Sequence, residues 1–111
     1  MTTPTLGALE LTVLLAVVRL GDDAHGLAIR RDVSARMRHD YSVGAIYTTL
    51  QRLEEKGFVS SRLTDPLPQR GGRSRRQFKA SAAGQRALGA AHRVATSVWA
   101  GVHTTIHPHP A

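Results

Sequence analysis

Residues 42–57 read Ser42-Val43-Gly44-Ala45-Ile46-Tyr47-Thr48-Thr49-Leu50-Gln51-Arg52-Leu53-Glu54-Glu55-Lys56-Gly57. A hydroxyl at the head and a glycine at the foot are helix start and stop signals. The hydroxyl accepts from a backbone N–H that has no partner in the first turn, and glycine takes the left-handed position just past the last turn. Between them Ile46, Leu50 and Leu53 recur at helical spacing, which predicts a helix over 43–56 with one buried stripe. The opposite face carries Gly44, Thr48, Gln51, Arg52 and Glu55, with Tyr47 on the flank. Its N-terminal half is polar and free of acids, while Glu54 and Glu55 stand at the far end.

Upstream, Thr3 or Thr5 is placed to cap a first helix running to about Leu20. Leu6, Leu9, Val13, Leu14, Val17 and Val18 are apolar along it, and Leu11, Leu15 and Leu20 occupy its other faces. A helix apolar almost all round must be covered on more than one side. We expect the domain core on one side and a partner subunit on another. Gly21-Asp22-Asp23 interrupts the pattern and supplies caps. A second helix is expected from about His25 to Met37, with Leu27 (or Ile29), Val33 and Met37 facing inward and Arg30, Arg31, Arg36 and Arg38 outward.

Downstream, residues 58–64 alternate as a strand does, and Gln77-Phe78-Lys79-Ala80 is a shorter strand. The intervening 65–74 are rich in Pro, Gly and Arg, which predicts a hairpin with a long basic tip. Ser81 then caps a last helix from Ala82 to about Ile106. Leu88, Ala91, Ala95, Val98 and Val102 recur along it at steps of three and four, the spacing of a helix–helix seam. The expected fold is mainly α with a small β-hairpin, a winged helix-turn-helix (residues 1–81) followed by a long C-terminal dimerisation helix (82–106). Residues 107–111, with two prolines and two histidines, are expected to form a disordered tail.

The charge is unevenly spread. Fifteen basic residues stand against eight acidic ones among 111, and residues 1–65 hold eight of each sign. The whole excess of +7 therefore lies in 66–111, on Arg70, Arg73, Arg75, Arg76, Lys79, Arg86 and Arg93. Such a cluster attracts polyanions, nucleic acid foremost. A membrane partner is not expected, because the apolar run Leu11–Val18 is far shorter than the roughly 20 residues of a bilayer span and lacks the marks of a signal peptide. The absence of cysteine excludes disulfides and thiolate chemistry and suits a cytoplasmic protein. None of the six histidines sits in a recognisable motif with serine or carboxylate, so neither an enzyme nor a cofactor is expected.

In a winged helix the third helix enters the major groove and the wing lies along the backbone or minor groove. Ser42, Gly44, Tyr47, Thr48, Gln51 and Arg52 are therefore the expected DNA contacts of the helix, and Arg70, Arg73, Arg75 and Arg76, around Gly71-Gly72, those of the wing. Gly44 leaves room for a phosphate, Tyr47 can donate its hydroxyl to one, Gln51 suits adenine, and Arg52 suits guanine or phosphate. Leu9 and Val13 of the first helix join Leu88, Ala91, Ala95, Val98 and Val102 in the expected homodimer interface. Trp99, the single tryptophan, lies beside that seam. It either fills the dimer core or stacks on a flat aromatic effector.

Three pieces of this chain resemble the PadR family of transcriptional regulators. They are Leu6 to Leu20 followed by His25-Gly26-Leu27; Ser42 to Gly57, most specifically from Gly44 on; and Arg75-Arg76-Gln77-Phe78-Lys79-Ala80-Ser81-Ala82-Ala83-Gly84. The resemblance spans about residues 5–90. Lys79-Ala80-Ser81 departs from the family's usual aromatic or apolar residue followed by Leu-Thr, though Ser81 keeps the capping hydroxyl. The short C-terminal part resembles the branch with a single dimerisation helix. The resemblance implies a dimeric repressor on a palindromic operator, often released by a small molecule. Two other readings stay open: a metal-responsive regulator using His103, His107 and His109, with helical spacing between the first two, and a non-specific nucleic-acid-binding protein.

Overall fold

A computed structural model describes residues 5–64 and 75–102 of the chain. The elements run α1 (Ala8–Leu20), a 3-10 turn (Gly21–Asp23), α2 (Gly26–Met37), α3 (Val43–Glu55), β1 (Val59–Leu63), β2 (Arg76–Ala80) and α4 (Ala82–Trp99). Three helices pack together, an antiparallel hairpin closes one side, and α4 leaves from the end of the hairpin. This is the expected mainly helical winged arrangement.

Sequence chemistry accounts for the element ends. Ser42 Oγ accepts from Ala45 N at 3.1 Å and opens α3, and Gly57, at φ +77°, lets the chain turn into β1. Ser81 Oγ accepts from Gly84 N at 3.0 Å and donates to the Gly57 carbonyl at 2.6 Å. One hydroxyl thus caps α4 and ties it to the end of α3. Helix α1 starts later than expected, with Gly7 as its cap in place of Thr3 or Thr5. Gly7 N donates to Glu10 Oε1 at 2.8 Å, and the Thr5 carbonyl is taken by Lys56 Nζ at 2.8 Å.

The core is made by Val13, Leu14, Ala16 and Val17 of α1, Ile29 and Val33 of α2, Ile46, Leu50 and Leu53 of α3, and Phe58, Val59, Phe78 and Ala80 of the hairpin. The stripe expected on α3 is entirely buried, and Thr49 joins it by returning its hydroxyl to the Ala45 carbonyl at 2.8 Å. On α2 it is Ile29, and not Leu27, that enters the core. Leu27 and Met37 are exposed, because α2 reaches the core along a single narrow face.

Pairing of Ser61 with Phe78 and of Ser60 with Lys79 fixes the hairpin register. Phe78 and Ala80 then face the core while Gln77 and Lys79 face away, as strand alternation requires. Residues before α2 extend this small sheet. Phe78 N donates to the Ala24 carbonyl at 2.8 Å, His25 bridges Gln77 in antiparallel sense, and Gln77 Nε2 donates to the Asp22 carbonyl at 2.6 Å.

Two expectations about the seam are corrected. Val13 is wholly buried within its own protomer, so its side chain has no surface left for a partner. Its neighbours Leu15 and Val18 are the exposed apolar residues of α1. Helix α4 ends at Trp99 and does not run to Ile106: Ala100 leaves helical geometry and Gly101 takes φ +80°, so Val102 stands beyond the helix and not on its stripe. The wing tip 65–74, with Arg70 and Arg73, and residues 103–111, with His103, His107, His109 and the predicted tail, lie outside the described residues.

Candidate nucleic-acid interface

Successive helix residues are rotated by about 100°. Gly44, Thr48 and Gln51 therefore line one stripe of α3, opposite the buried Ile46, Leu50 and Leu53, and all three are exposed. Ser42 caps the end from which this stripe starts, so backbone N–H groups of the first turn emerge beside Gly44. A Cβ built on Gly44 meets nothing within 4 Å. Nothing in the protomer therefore demands glycine there.

The flanks of the stripe differ. Tyr47 is half-exposed, with its ring 6.4 Å from Phe78 and its hydroxyl end resting on Gly26. A side chain at position 26 would overlap the phenol, so Gly26 is the seat of Tyr47. Arg52, on the other flank and a turn further on, is exposed and near enough to Glu10 to act on its carboxylate. It lies one turn beyond Thr48 on α3 and faces the start of α1 through Glu10.

At the wing root, Arg75 and Arg76 point to opposite faces of the hairpin. Arg76 Nη1 donates to Ser61 Oγ at 2.9 Å, and Ser61 Oγ lies 3.1 Å from the Glu54 carboxylate oxygens. Arg76 is thereby turned toward the acidic end of α3. Arg75 instead reaches the head of α2, with Nη1 3.2 Å from His25 Nε2. Burial holds the His25 imidazole below its ordinary pKa, the Arg75 charge adds to this, Asp23 opposes it, and Arg31 reinforces it. The neutral ring has a lone pair for Arg75 to donate to.

In the sequence His25 stands at the start of the expected second helix and in the His25-Gly26-Leu27 resemblance, with no binding role assigned to it. The available signal was the pair His25-Gly26 at the head of α2: Gly26 seats Tyr47 from α3, and His25 meets Arg75 from the wing root. Helix α3 and the wing root thus converge on adjacent residues. Among the described residues no group of His and carboxylates is placed to hold a metal ion, and no helix is long and apolar enough to cross a membrane.

A polar-faced third helix, capped at its exposed end and followed by a hairpin whose root is cationic, defines a winged-helix DNA-binding fold. The family model of PadR-like transcriptional regulators matches residues 14–90, and the chain belongs to that family. Solved structures agree on the fold. A PadR-like transcription factor from Bacteroides fragilis superposes with TM-score 0.66 at 22% identity, covering 81% of this chain and 82% of that one. A PadR family regulator from Clostridium difficile R20291 gives 0.64 at 21% identity over 84% of this chain and 95% of that one. RosR of H. salinarum gives 0.66 at 19% identity over 92% and 84%. No curated protein matches the chain in sequence.

Proposed function

We propose that this regulator is a homodimeric repressor that sets α3 of each protomer into successive major grooves of a palindromic operator. The observation that carries this is the Gly44–Thr48–Gln51 stripe, exposed on a helix whose other face is locked into the core. Gln51 and Thr48 read base edges, Ser42 and Gly44 bring the helix N-terminus to a phosphate, and Tyr47 donates to the backbone. Arg70, Arg73 and Arg75 supply wing contacts that give affinity without sequence information. Arg52 and Arg76 play a smaller part, given their placement toward Glu10 and toward Ser61 and Glu54.

Dimerisation is supported by α4. Leu88 and Ala91 are partly covered by the protomer, whereas Val94, Val98 and Trp99 are exposed by 61%, 71% and 56%. A second copy laid on this stripe, on the partly buried Leu9 and on the exposed Leu15 and Val18 of α1 would cover them. In such a two-fold pair Trp99 lies near its own copy, and a flat aromatic effector between the indoles would spread the two recognition helices.

Gly44→Ala separates recognition from folding. Alanine fits the protomer and favours helix, so stability should hold or rise by a few tenths of a kcal/mol, up to about 1. Operator affinity should nevertheless fall at least tenfold. Unchanged affinity for a palindromic promoter duplex would remove α3 from the groove. Titrating planar aromatic compounds should quench Trp99 fluorescence and release DNA together; quenching without release would leave Trp99 as a packing residue.

A further inference from the structure

Neutral imidazole and guanidinium make a directional pair only if the ring nitrogen accepts, and His25 is placed so that it does. Its backbone is fixed by the bridge to Gln77 and by its N-cap position on α2, and the adjoining Ala24 carbonyl is held by Phe78 N. The ring is only partly exposed. Arg75, by contrast, is an exposed residue at the point where the described part of the wing begins. Its backbone carbonyl is anchored by Thr64, whose N and Oγ1 donate to it at 2.7 and 3.0 Å. The guanidinium at the end of a long flexible stem is held by the His25 contact at 3.2 Å.

We infer that His25 is a positioning residue for DNA binding. Its Nε2 accepts from Arg75 and holds that guanidinium beside the Gly26 seat of Tyr47, so that wing root and recognition helix present one continuous phosphate-binding edge. This rests on the DNA-binding reading above and adds a residue to it that touches no DNA itself. The ordering entropy of a long arginine side chain is substantial, and a partner that fixes it beforehand removes that cost from the binding step. His25 is suited to the task because its surroundings keep it uncharged. Burial disfavours the imidazolium, Arg75 on β2's approach and Arg31 on α2 repel it, and the opposing charge of Asp23 is outweighed.

The test uses full-length protein and a random-sequence DNA duplex long enough for a dimer, since phosphate contacts need no operator. Affinity is measured across a salt series for wild type, Arg75→Ala, His25→Phe, His25→Gln and the His25→Phe/Arg75→Ala double variant. Loss of one phosphate contact lowers the salt slope by about one per protomer. Arg75→Ala should show that loss. His25→Phe should show most of it, His25→Gln should restore the wild-type slope through its amide oxygen, and the double variant should be no worse than Arg75→Ala. An Arg75→Ala slope equal to wild type would overturn the DNA role of Arg75 and the inference with it. A normal Arg75→Ala loss with a wild-type His25→Phe slope would overturn the inference alone, as would a His25→Gln variant as weak as His25→Phe. Independently of DNA, an NMR titration of the His25 ring should move to higher pH in Arg75→Ala; an unmoved titration would show that the pair does not form in solution.

Discussion

Helices α3 and α4 are built by the same device and meet different fates. Each opens on a serine whose hydroxyl accepts from the amide three residues on, and each carries its apolar residues at steps of three and four. On α3 the stripe of Ile46, Leu50 and Leu53 is fully buried against α1, α2 and the hairpin. On α4 only the first half is used. Gly84 lies so close to the Phe58 carbonyl that no Cβ fits, Ala83, Ala87 and Leu88 pack on the core, and beyond Ala91 every residue is exposed. A stripe of Val94, Val98 and Trp99 in water is unfavourable by roughly 25 cal/mol per Å² of apolar surface that a partner would cover. The protomer thus covers its apolar stripe at α3 and leaves it exposed at α4, and the proposed second copy would cover it.

The largest expected effect tests completeness. Leu53→Ala removes a fully buried side chain and should destabilise the protomer by about 2–5 kcal/mol, read by denaturant unfolding. Val98→Asp should leave the helical circular dichroism intact, because Val98 touches no core residue's buried face, yet convert dimer to monomer by sedimentation and cost most of the operator affinity. The two variants should therefore fail in opposite assays. A monomeric wild type at micromolar concentration would break the comparison at its root.

The same contrast explains what the sequence made legible. Caps and periodicity are local, so α3 could be read almost to its ends, with Ser42, Gly57 and the three buried positions in place. Reading which stripe faces what requires tertiary knowledge. Val13 and Leu15 are two residues apart on a helix apolar nearly all round, and nothing in their spacing says that Val13 goes to the core and Leu15 to the surface. Likewise Leu27 and Ile29 both fit α2's period, and only the approach of α1 and α3 selects Ile29. The end of α4 was overrun because Val102 continues the seam numerically, while the break comes from backbone geometry at Ala100 and Gly101. Within the candidate site, individual helix residues were visible as exposed polar types. The His25–Arg75 contact was not, since it joins residues 50 apart through hairpin register.

The two serine caps give a smaller, sharper comparison. Ser42→Ala loses one cap bond at an exposed helix start and should cost about 1 kcal/mol. Ser81→Ala loses the cap and also the bond to the Gly57 carbonyl, which ties α4 to the end of α3, so its cost should reach about 2 kcal/mol. Equal costs in thermal or denaturant unfolding would mean that the Ser81–Gly57 bond contributes nothing beyond the cap.

The smallest effect concerns the far end of α3, where Lys56 donates to Glu10 Oε1 at 2.8 Å and couples α3 to the start of α1. Burial alone would raise the Glu10 carboxyl. The Lys56 hydrogen bond, the Gly7 amide and the charges of Lys56 and Arg52 outweigh it, so the folded pKa lies below the ordinary 4.5. A carboxyl depressed on folding stabilises the native state fully above its unfolded pKa, and that contribution disappears as pH falls through the folded value. Both side chains are less than one-third exposed, so the pair should contribute about 1 kcal/mol at neutral pH. Glu10→Gln should therefore be less stable than wild type by about that amount at pH 7, and the two unfolding curves should converge as pH drops below the ordinary carboxylate range. Helix α4 has no acidic residue and no such pair, so variants along its exposed half should show no matching acid-dependent convergence. A Glu10→Gln gap that persisted in acid would trace the loss to packing or to the Gly7 cap bond instead of to charge.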